Sequence, residues 1–177
     1  MTQNTKSSIG FFAITLVSLA ALSRFIPHPF NFTAIGAMAL FAGANLKNKK
    51  LAYLLPIFAM ILTDLYFGLH FSILPVYLCF VLTVWLGTRM NGKVKASSIF
   101  KNSIFSSVLF FLITNLPFWY ADLSLYSLDL KGTILSYSMA LPFFTNQLIG
   151  DLFYNGLLFG CFYLIKKSQL KLTPQDF

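Results

Sequence analysis

Charge is what this sequence has least of. Lys, Arg, Asp and Glu make up 10% of its 177 residues, where a soluble domain carries about 25%. Hydrophobic residues supply 57%, and the mean hydropathy is +0.73. Too little polar surface remains to coat a globule in water, so the bilayer is the better solvent. Cysteine is scarce as well. Cys79 and Cys161 both fall inside apolar runs, which argues against a disulfide framework and reads them as small buried hydrophobes. The two histidines, His28 and His70, are too few for a zinc site. Five acidic residues against 13 basic ones leave a net charge of +8. That excess forms no basic face interleaved with aromatics, as a nucleic-acid groove requires. No nucleic-acid partner, metal or cofactor is therefore expected.

Long apolar runs are what the sequence has in quantity. A spanning helix needs about 20 mostly apolar residues, and runs of that kind cover 9–26, 30–46, 51–69, 72–91, 102–120 and 142–165. The expected fold is an all-α integral membrane protein, a bundle of six transmembrane helices in which residues 1–177 form one domain. Residues 133–141 read as a short surface helix leading into the last span. With the N-terminus inside, eleven of the 13 basic residues lie in cytoplasmic segments, at Lys6, 47–50, 89–101 and 166–171. Only Arg24 and Lys131 are left outside. This asymmetry follows the positive-inside rule and predicts a multi-pass inner-membrane protein with both termini cytoplasmic. Residues 11–22 also resemble the apolar core of a signal peptide. The preceding segment holds a single lysine, however, and the apolar run continues into "SRFIP", which favours a retained first helix.

In this orientation the outward connections are "RFIPHPFN" (24–31), "FGLHF" (67–71) and "YADLSLYSLDLKG" (120–132). Pro27 and Pro29 stop the first helix and force an extended turn, so Arg24, His28 and Asn31 lie on a stiff loop over the outer mouth. His70 sits in the next outer loop. Inside the spans, Asp64 lies near the outer end of the third, and Asn115 and Trp119 one turn apart near that of the fifth, followed by Tyr120. Gln147, Asp151 and Asn155 recur every fourth residue, on one face of the last helix. Charges within spans usually face the bundle interior, paired or lining a cavity. Two readings follow. Either Arg24 pairs with Asp64 or Asp151 and locks the bundle, or Arg24, His28, Asn31, Asp64, His70, Asn115, Trp119, Tyr120, Gln147 and Asp151 surround an outward pocket for a small molecule. Phe30 and Phe118 would add apolar wall to such a pocket.

Small residues mark helix contacts. Gly36, Ala39 and Gly43 form a stripe on the second span, and Gly156 and Gly160 repeat the small-xxx-small pattern on the last. Two catalytic motifs come close and fail. "GTRMNGK" (87–93) begins like a phosphate-binding loop, but Val94 replaces the magnesium-binding Ser or Thr and no strand precedes it. Asp64 and Asp151, one on each of two helices, match the layout of intramembrane aspartyl proteases. In place of that family's G-x-G-D the chain reads "LIGD" (148–151). An aspartyl-type hydrolase remains the enzymatic alternative, and a purely structural membrane protein the third; the principal expectation is a non-enzymatic protein.

The segments "LSRFIPHPFNFTAIGAMALFAGA", "KNKKLAYLLPIFAMILTDLYFGLH", "FFLITNLPFW" and "LPFFTNQLIGDLFYNGLLFG" resemble a family of small bacterial membrane proteins designated transport proteins. Their six-helix layout is similar to the S (substrate-binding) components of energy-coupling factor vitamin transporters. The resemblance implies an outward pocket for a vitamin-like nutrient. It also implies a lipid-embedded scaffold and a partnership with an energising transmembrane subunit and its ATPases. The A-x-x-x-A docking motif common on the first helix of S components is missing here, since Ala13 is followed by Val17 and Ala20 by Arg24. Related cobalamin-binding proteins act alone and ligate cobalt through a cysteine, a role for which Cys79 is the position to examine.

Overall fold

The computed structural model describes residues 3–69, 72–90 and 94–171. Six α-helices run in the order α1 (Gln3–Leu22), α2 (Ile35–Asn45), α3 (Lys49–Phe67), α4 (Ile73–Arg89), α5 (Ala96–Thr114) and α6 (Leu130–Lys171). Single 3₁₀ segments follow α1 at Ser23–Phe25 and α5 at Pro117–Leu123. No strand occurs among the described residues. Three helices, α3, α5 and α6, are long and apolar enough to cross a membrane. Many large apolar side chains on the outer faces are exposed, including Leu54, Phe58, Phe105 and Leu157, as a lipid-facing surface requires.

The expected second span, 30–46, is a helix of only eleven residues. Helix α2 begins at Ile35 because residues 27–33 are taken up by the two prolines and by Asn31, whose φ of 63° lies in the left-handed region. Eleven residues reach about 16 Å, half of a hydrocarbon core of about 30 Å. Ile35 and every residue from Ala37 to Ala44 are buried, so α2 is apolar all round because it is covered all round. Its C-terminal carbonyls are capped by Lys49, whose Nζ donates to the carbonyls of Gly43 (2.9 Å) and Leu46 (3.0 Å). A cation there also complements the helix dipole.

Glycine sets the crossing of α2 and α4. A Cβ on Gly43 would overlap the Val84 carbonyl and lie 3.1 Å from the Gly87 Cα. A Cβ on Gly87 would reciprocally overlap the Leu40 carbonyl and lie 3.0 Å from the Gly43 Cα. The two backbones touch with nothing between them. Gly87 opens the failed phosphate-loop motif, and its role is this contact. Gly156 and Gly160 behave differently: no atom lies within 4 Å of a Cβ built on either, and they line an open groove beside α5. Among the described residues, nothing packs against that pair. Replacing Gly156 by Ala should therefore stabilise the fold by about 0.5–1 kcal/mol, the usual advantage of alanine inside a helix. Destabilisation in a mixed-micelle unfolding titration would instead reveal a close neighbour on that face.

Helix α6 replaces the expected surface helix at 133–141 and span at 142–165 with one helix of 42 residues, about 63 Å long. It passes through Pro142, which removes a single i→i−4 bond. Contacts with α5 hold both sides of the proline: Tyr137 packs edge-on against Phe111, and Phe144 against the same ring. Asp129 caps the start, its Oδ1 accepting from the Gly132 N–H (2.7 Å) and the Ser127 hydroxyl (2.6 Å). These bonds hold its carboxyl below the usual carboxylate range. The fifth expected span, 102–120, also shifts: α5 runs 96–114 and stops short of Pro117, since the residue before a proline is disfavoured in the helical region.

Candidate functional site

Two buried carboxylates organise the end of the bundle that carries Arg24. Asp64 on α3 is 2% exposed and faces Arg24, whose Nη2 lies 3.3 Å from its Oδ1. The Tyr77 hydroxyl on α4 donates to its other oxygen at 2.9 Å. Arg24 Nη1 is held by the Thr63 hydroxyl at 2.5 Å. The ion pair between Arg24 and Asp64 thus joins α1, α3 and α4, and each charge has a geometric partner.

Asp151 on α6 is 4% exposed and has no basic partner among the described residues. The Ser107 hydroxyl on α5 donates to its Oδ2 at 2.7 Å, and Gln147, one turn before it, forms a second bond. On the third side Gly36 of α2 comes so close that a Cβ there would overlap Oδ1. One turn further along, Asn155 Nδ2 donates to Ser103 Oγ at 3.0 Å. Ser103 and Ser107 are four residues apart, as are Asp151 and Asn155, so two polar stripes face each other across the α5–α6 contact.

A second cluster closes the end of α5. The last carbonyls of a helix lack intrahelical donors, and in an apolar medium each must be satisfied by the protein. Here consecutive carbonyls receive side-chain donors: Asn115 Nδ2 on Phe111 (2.8 Å), Tyr137 hydroxyl on Leu112 (2.6 Å) and Trp119 Nε1 on Ile113 (2.7 Å). The Tyr120 hydroxyl serves Thr114 (2.9 Å) and the Ser136 hydroxyl serves Asn115 (2.7 Å). This explains why "NLPFWY" is rich in polar aromatics. Their donors cap a helix.

Between these clusters lies a cavity of about 490 Å³. Its wall includes Arg24, Asn31, Asn115, Tyr120, Gln147 and Asp151, six of the ten positions expected around a pocket. The other four fall elsewhere. Asp64 stands behind Arg24 as its counter-ion. Trp119 is absent from the wall, its N–H being committed to Ile113. His28 is half-buried in the loop and does not line the cavity, with Nδ1 3.0 Å from the Pro29 carbonyl. His70 lies outside the described residues. Phe30 lines the cavity, whereas Phe118 points away and is 67% exposed. Cys79 is buried in α4 and is not among the residues that line the cavity. The sequence reading missed Phe80, Phe110, Phe111, Phe143 and Phe144, which also line the cavity. They sit in runs where every neighbour is apolar, and nothing in the pattern separates a cavity-facing phenylalanine from a lipid-facing one. Ser107 had a legible signal in its i, i+4 spacing from Ser103.

The chain belongs to DUF6580, a family of unknown function whose profile matches residues 3–173. No curated protein and no solved structure matches it.

Proposed function

We propose that this protein is a transport component of the inner membrane that binds a small, vitamin-like nutrient from the outer face and mediates its uptake. The observation that carries this reading is the cavity of about 490 Å³ whose wall combines Asp151, Gln147 and Asn31 with phenylalanine side chains. Its volume falls in the range of small-molecule sites, about 300–1,000 Å³. The excess of basic residues at 47–50, 89–101 and 166–171 supports an orientation with both termini cytoplasmic, which opens the cavity outward. The likeness to S components supports a six-helix membrane domain working with an energising subunit and ATPases. The hydrolase alternative needs two carboxylates sharing a proton. Asp64 is engaged by Arg24 and Tyr77, and Asp151 by Ser107; separate partner sets favour binding over hydrolysis.

Ala140 lines the cavity and is 8% exposed, so a tryptophan there fills the space a ligand needs. Protein purified in lipid nanodiscs should carry a bound small molecule visible by mass spectrometry. Ala140→Trp should reduce its occupancy at least tenfold while the protein remains monodisperse. Equal occupancy in the two proteins would refute the assignment of this cavity.

A further inference from the structure

The acidic group on the cavity wall without a basic partner among the described residues is Asp151. Arg24 reaches the wall with its guanidinium already facing the Asp64 carboxylate. Asp151 also reaches the wall, and it is hydrogen-bonded to Ser107 and Gln147, both neutral. A carboxylate buried in a membrane protein ordinarily faces a counter-charge, from the protein or from a ligand. Around it stand six phenylalanines, Phe30, Phe80, Phe110, Phe111, Phe143 and Phe144. Their ring faces are electronegative and attract cations, most strongly where water is excluded.

We infer that the ligand is an organic cation, a quaternary or protonated amine with an apolar or aromatic body, bound with its charge toward Asp151. The inference rests on the binding role proposed above and names the chemical class of the ligand. An anion would meet a carboxyl group with no basic partner among the described residues, in a wall rich in phenylalanine. A bare metal ion is too small for a cavity of about 490 Å³, and no group of three or more His, Cys, Asp or Glu side chains gathers among the described residues. An organic cation satisfies the carboxylate, the rings and the volume together. Gly36 has a part in this arrangement, since only a residue without a Cβ leaves room for the Asp151 carboxyl beside α2.

The test uses the full chain in nanodiscs and three probes of similar shape: phenyltrimethylammonium, neutral tert-butylbenzene and benzenesulfonate. Equilibrium dialysis should give an affinity for the ammonium at least tenfold above that for either other probe. Asp151→Asn, checked for monodispersity, should lose at least tenfold of the ammonium affinity and leave tert-butylbenzene unchanged. The series on the wild-type protein decides the matter even if the variant fails to fold. Probes that bind equally, or a preference for benzenesulfonate, would overturn the cation assignment. If Ala140→Trp still blocked them, the binding role itself would stand. Failure of all three to bind, or binding unaffected by Ala140→Trp, would remove the role and the inference together.

Discussion

Arg24→Ala should destabilise the protein by about 3–5 kcal/mol, the loss found when one partner of a buried ion pair is removed. The reason lies in what stays behind. Asp64 is 2% exposed, and without the guanidinium its carboxylate keeps the Tyr77 hydroxyl but loses its cation. Asp64→Ala should be comparably severe, stranding Arg24 among Met60 and Thr63. The double replacement by leucine should recover much of the loss, because a well-packed apolar pair often matches a buried ion pair. Arg24→Lys should fall between, as an ammonium cannot reproduce the planar fork that meets Asp64 and Thr63 at once. Unfolding in mixed micelles measures all four. A neutral Arg24→Ala would show that the pair contributes nothing to the fold, and would return Arg24 to a ligand-contacting role.

Gly87→Val should give no folded protein, and Gly87→Ala should cost about 2–3 kcal/mol, toward the upper end of the overpacking range. The obstacle is main chain: the Leu40 carbonyl and Ala44 nitrogen of α2 occupy the place of the new Cβ. A flexible side chain could rotate away, but a backbone carbonyl moves only with its helix. Since α2 is enclosed on every face, its displacement would disturb the rest of the bundle. Gly43→Ala meets the same crossing from the other side. The two alanine variants combined should cost less than their sum, because one separation of α2 from α4 accommodates both. Expression with folded-state fractionation, followed by unfolding titration, reports the effect; wild-type stability of Gly87→Val would mean the helices do not cross there.

Much of the bundle was legible because hydrophobic run length and breaker positions carry it. The extents of α3 and α4 follow the expected spans closely, and the polar face of Gln147, Asp151 and Asn155 does line the interior. Error entered wherever an apolar run admitted two explanations. Residues 35–45 are apolar because they are a buried core helix, yet composition reads the same for a core helix and a lipid-facing one. The expected boundary between 141 and 142 is absent: the helix runs through Pro142, and bonds from Ser136 and Tyr137 tie the part before it to α5. Asn115, Trp119 and Tyr120 carried a different ambiguity. Polar groups at these positions suggest ligand contacts, and the α5 carbonyls that they cap lie four to six residues back in the chain. The Arg24–Asp64 pair is present, and Arg24 also lines the cavity, so the ion pair and the pocket coexist.

The shortness of α2 bears on how the protein is made. A segment of this length has too few residues to enter the bilayer independently, so the insertion machinery has no reason to release it as a unit. It must be carried in between α1 and α3 and wait, only partly sheltered, until the glycine face of α4 emerges to close over it. Helix α2 is therefore enclosed late although it is synthesised early, and a nascent protein halted after α3 would present it without the glycine face of α4.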